Sequence, residues 1–195
     1  MIEYITGYLI YISCILISYY FGKRTGVFKK FPVLALICIP SGSYLLMFSL
    51  GFCVMAAYMD IKNDMDVYDI YHLIPLIVIV VGLVNKVITR QTDISYIFNF
   101  YNLIPLLFIL VTIKTRGFAD TLALLVYSLL GIYYKVDSLI VICAFSFSYF
   151  IQIIIQCVYC KKENIKFSDK PKLAFLPALY IGNSIFLLLC CNGTV

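Results

Sequence analysis

The chain has 195 residues, of which 63% are hydrophobic, 16% aromatic and 13% charged, and its mean hydropathy is +0.99. That apolar share is more than a soluble fold of this size can hide, which excludes an aqueous globular domain. The formal net charge of +5 lies in short segments beside apolar runs, where basic residues set orientation and meet anionic lipid. The lipid membrane is therefore an expected partner, and nucleic acid is not.

Apolar runs fall at about 4–21, 31–59, 70–88, 96–113, 118–134, 137–158 and 173–191, most of them near the ~20 residues needed to cross ~30 Å of hydrocarbon. The first, "YITGYLIYISCILISYYF", lacks a basic leading segment and a small-residue cleavage site, so it reads as a retained helix and not a cleaved signal. The second is interrupted by "IPSGS", Pro40 to Ser43, a breaker cluster that predicts either a short hairpin or a crossing.

Basic residues separate the two. With one crossing at 31–59, the 15 Lys and Arg divide eight against seven; with a chain that turns back there, they divide twelve against three. The asymmetry typical of membrane proteins favours turning back, with the N-terminus outside and the loops next to Asp60 and Asp120 in the cytoplasm. About 14 residues on each side of the breaker are short for a helical span. The expected fold is all-α, a polytopic helical membrane protein. Six core transmembrane helices follow an N-terminal helix and a short breaker-containing hairpin, with residues 1–42 as the N-terminal segment and 43–195 as the core.

Two acids stand against apolar runs. Asp60 ends "CVMAAYMD" and Asp120 lies in "GFADTLALLVYSLLG". An acid at membrane depth costs about 2.5–3.5 kcal/mol on insertion scales and marks a candidate functional site. Both are expected at the cytoplasmic ends of helices, Asp60 at a C-terminal end and Asp120 in a first turn. Singly, each has an ordinary explanation, Asp120 as a helix cap and Asp60 as an interfacial residue. Together, two carboxylates in a poorly solvated site share a proton, so one serves as base and the other as acid toward an activated water. Neither a metal nor a cofactor is needed. Gly117 beside the second acid permits close approach of a substrate backbone.

The remaining candidates fit ordinary roles. Asp137 precedes a helix as a cap would, and Asp64, Asp66 and Asp69 occupy the polar loop "DIKNDMDVYD". His72, the one histidine, has no ligand at metal spacing and reads as structural. Of eight cysteines, six (Cys14, Cys38, Cys53, Cys143, Cys190 and Cys191) are expected in apolar helices as small hydrophobes. Cys157 and Cys160 in "CVYC" have motif spacing but no second pair, so no metal site is expected.

Three segments resemble the type IV prepilin peptidase and archaeal preflagellin peptidase family of intramembrane aspartic peptidases. "AAYMDIKNDMDVYDIYHLIPLIVIVVGLV" is similar to its first-aspartate helix and loop. "GFADTLALLVYSLLG" is similar to its GxGD helix, and "KPKLAFLPALYIGNSIFLL" to its final helix with a Phe-x-Pro element, Phe175 and Pro177. The resemblance covers roughly 43–191 and departs at Ala119, where the family has a second glycine, and at Leu122, where it has a basic residue. It implies that Asp60 and Asp120 form a catalytic dyad in the cytoplasmic (inner) membrane. Its substrate would be a pilin-like precursor whose short basic leader is cut after a glycine on the cytoplasmic face; Asp64, Asp66 and Asp69 are expected to receive that leader's basic residues. With eight residues, 23–30, between the first two runs, the methyltransferase domain of the larger members is not expected. The alternatives are a small transporter that uses the two acids for protons or cations, or a degenerate, inactive member.

Overall fold

A computed structural model describes residues 1–24, 32–61, 68–112, 118–167 and 173–193. These form eight helices, and among the described residues there is no strand. The helices are α1 (Ile2–Arg24), α2 (Tyr44–Ile61), α3 (Tyr68–Ile88), α4 (Ile94–Ile97), α5 (Phe100–Thr112), α6 (Phe118–Tyr133), α7 (Ser138–Glu163) and α8 (Leu176–Gly193). Four of them, α1, α2, α3 and α7, are long and apolar enough to cross a membrane. The chain is thus an all-helical membrane protein.

The breaker segment does turn the chain back, though not as a helical hairpin. After a single 3-10 turn at Val33–Leu36, the chain runs without helix to Ser43. It descends along α1: Ala35 accepts the Tyr11 hydroxyl at 2.6 Å, Leu36 accepts that of Tyr8 at 2.8 Å, and Ser41 and Gly42 lie beside Gly7 and Glu3. Non-helical backbone at membrane depth survives only where protein groups satisfy it, and here the two tyrosines do so. Because chain without helix rises about 3.3 Å per residue against 1.5 Å in a helix, the shortfall in length disappears.

This return makes α1 and α2 parallel neighbours. Gly7 meets Met47 and Gly51 meets Cys14 and Tyr11; a Cβ on Gly51 would stand 2.7 Å from Cys14 Cβ and 2.9 Å from the Tyr11 carbonyl. Without a hydrophobic force between helices in lipid, small residues of this kind are what permit close packing. The C-termini of α1 and α2 therefore share one end of the bundle, hereafter the Asp60 end.

At the opposite end, α3 and α6 are tied at their C-termini. Lys86 donates to the Tyr133 carbonyl at 2.7 Å with its ammonium 3.7 Å above that residue's ring, and Lys135 donates to the Gln91 carbonyl at 3.4 Å. Each lysine thus meets a carbonyl left open at or just past the C-terminus of the other helix. α3 packs along α6, α2 lies between α1, α3 and α8, and α7 lines α8.

Two expectations change. The run 96–113 is split into the single turn α4 and the 13-residue α5, because Asn99 accepts the Tyr101 N–H at 3.3 Å and Asn102 binds the Tyr96 carbonyl at 2.6 Å. These side-chain bonds compete with continuous helix. Cys38 lies on the non-helical return and not in a helix, and Cys143 is exposed on α7. Asp137 caps α7 as read, accepting the Leu139 N–H at 2.9 Å.

Candidate functional site

Asp60 is the penultimate residue of α2 and Asp120 lies in the first turn of α6. Both are partly buried. Two side-chain contacts fix how these helices run past each other. The Leu46 N–H donates to the Tyr134 hydroxyl at 3.1 Å, and the Cys53 and Tyr127 side chains are close neighbours. Leu46, Cys53 and Asp60 follow one another at steps of seven along α2; Tyr134, one residue past the end of α6, Tyr127 and Asp120 do the same in reverse. Seven residues are about two turns, so each trio lies on one face of its helix. An antiparallel pair in contact at the first two members brings the third members, Asp60 and Asp120, to one end and to within about one turn of the same level.

A third helix terminus meets Asp60. The Leu176 N–H, first in α8, donates to Asp60 Oδ2 at 2.9 Å, which fixes that carboxylate and satisfies an N–H otherwise open at the helix start. Leu176 is the middle residue of Phe175–Leu176–Pro177. Pro177 suits a first helical turn because it needs no donor there. Phe175 packs against Tyr149 of α7 with ring centroids 4.9 Å apart. The three segments singled out in the sequence thus converge at one end of the bundle.

Leu122 is 5% exposed, so its position is occupied by packed apolar side chain, and Ala119 is likewise buried. Gly117, Asp64 and Asp66 lie outside the described residues, and so does the side chain of Asp69, whose backbone belongs to the start of α3. The Leu176 bond to Asp60 is not legible in the sequence. The signal was present in the Phe-x-Pro element, but the partners are 116 residues apart.

These features define a helical membrane bundle with two acids and a helix N-terminus gathered at one end. No family model, curated protein or solved structure matches the chain.

Proposed function

We propose that the protein is an intramembrane aspartic endopeptidase that removes the basic leader of pilin-like precursors. The observation that supports this most is the seven-residue register that carries Asp60 and Asp120 to one end of the α2–α6 pair. With a substrate peptide between them, two such acids act as a unit: the ionised member draws a proton from water while the protonated member polarises the scissile carbonyl and then serves the leaving amine. The Leu176 N–H holds one of the two carboxylates in a fixed orientation throughout.

A transporter reading fits less well. Carriers that use acids hold them near the midplane on interrupted helices, whereas Asp60 and Asp120 stand at helix ends. In this proposal the Asp60 end faces the cytoplasm from the inner membrane. Among described residues it carries Lys23, Arg24, Lys161, Lys162 and Lys166 against Lys86, Arg90 and Lys135 at the other end, the bias expected of cytoplasmic loops.

Co-expression with a pilin-like precursor tests the reading. Leader loss should appear as a mobility shift on a gel, with the new N-terminus directly after a glycine. A precursor that keeps its leader beside abundant, inserted enzyme would reject the proposal for that class of substrate.

A further inference from the structure

His72 is 1% exposed on α3, and the proposed reaction gives it no part. Its surroundings follow from the contact that joins α3 to α6. His72, Ile79 and Lys86 recur at steps of seven, as do Ala119, Val126 and Tyr133 on α6, so each trio again shares a face. Lys86 touches Tyr133, Gly82 lies against the Tyr133 ring, and Ile79, Val126 and Ala119 are all buried. The two helices run the same way, since α6 is antiparallel to α2 and α3 leaves from the end where α2 stops. Carried two steps from Lys86 and Tyr133, the register sets His72 beside Ala119, next in sequence to Asp120. Side chains on a helix lean toward its N-terminus, which inclines the imidazole toward the first turn of α6.

We infer that His72 is a positioning residue for Asp120, a third titratable group at the two-acid site. An imidazole against the first turn of α6 orients the Asp120 carboxylate and, when protonated, stabilises its charge. At this level the neighbouring elements carry Asp60 and Tyr58 on α2, Asp120 on α6 and Tyr19 on α1, and α3 itself carries Asp69 and Tyr71. The Tyr71 hydroxyl is directed to the Ser18 carbonyl of α1 at 3.0 Å. Lys62, Lys114 and Arg116 belong to segments outside the described residues. The catalytic meaning of this inference rests on the peptidase reading; the electrostatic pairing does not.

As the one histidine in the chain, His72 gives a single imidazole signature in the ¹⁵N spectrum of the untagged protein in micelles. Titrating that signal in the wild type, Asp120→Asn and Asp120→Glu tests the pairing without any substrate. Loss of the negative neighbour should lower the imidazole midpoint by about one pH unit, while the glutamate variant keeps it within a few tenths. Asp120→Ser replaces the asparagine variant should the latter not fold, and Asp93→Asn, at the opposite end, should leave the midpoint unmoved. A midpoint indifferent to the charge at position 120 would overturn the inference and leave leader cleavage untouched. Conversely, a shift without any leader cleavage would support the pairing and count against the peptidase reading.

Discussion

At the residue scale, the tyrosines of α1 show how a membrane chain tolerates irregular backbone. Tyr11 is fully buried, and its hydroxyl reaches both the Ala35 carbonyl at 2.6 Å and the Tyr180 hydroxyl at 3.1 Å. Tyr11→Phe keeps the ring and leaves a carbonyl without its donor, which should cost about 1–3 kcal/mol. Thermal unfolding in detergent should show a lower midpoint for Tyr11→Phe than for Tyr8→Phe, whose hydroxyl is nearer the surface. Equal midpoints for both variants and the wild type would mean that the return segment is held by other contacts. None of this was legible in sequence, because the partners are 24 and 28 residues apart and a lone tyrosine in an apolar run looks the same with or without a carbonyl to bind.

At the element scale, helix ends read well and helix continuity less so. Asp137 as a cap, Asp60 at a C-terminal end and Asp120 in a first turn all follow from local composition, since caps and charges act within one turn. The non-helical return at 37–43 did not, because hydropathy reports burial in lipid and not backbone conformation. The loop after α2 carries a further expectation from sequence, that Asp64, Asp66 and Asp69 receive the basic leader. Exposed pairs contribute about 0.2–1 kcal/mol each, so converting all three to Asn should raise KM for the precursor about tenfold at low salt, with kcat kept, and the difference should shrink as salt is added. Identical KM at low salt in the triple variant would assign the leader to another surface.

At the scale of the whole molecule, parallel α1 and α2 and the antiparallel α7–α8 pair fix which connections share an end. The first residues of α1 and the last of α8 lie at one end, and the α7 cap at Asn164 lies at the other with Asp60. With the Asp60 end in the cytoplasm as proposed, tags at the N- and C-termini should be accessible from outside intact cells, and a tag inserted after Asn164 only after permeabilisation; the reverse pattern would overturn that orientation, and termini on different sides would break the arrangement itself. The breaker and the basic residues made the turn-back legible in the sequence, whereas the α2–α6 register was not, as it depends on Tyr127 and Tyr134 finding partners on another helix. That register is what would let Asp60 and Asp120 act as one unit in the proposed reaction. The direct measurement is the rate of leader release from a pilin-like precursor by purified protein in liposomes, for the wild type, Asp60→Asn, Asp120→Asn and the double variant. Each single change should lower the rate by about a thousandfold or more, and the double variant should be no slower than either. Appreciable release by one single variant, or losses that multiply in the double, would contradict that joint action.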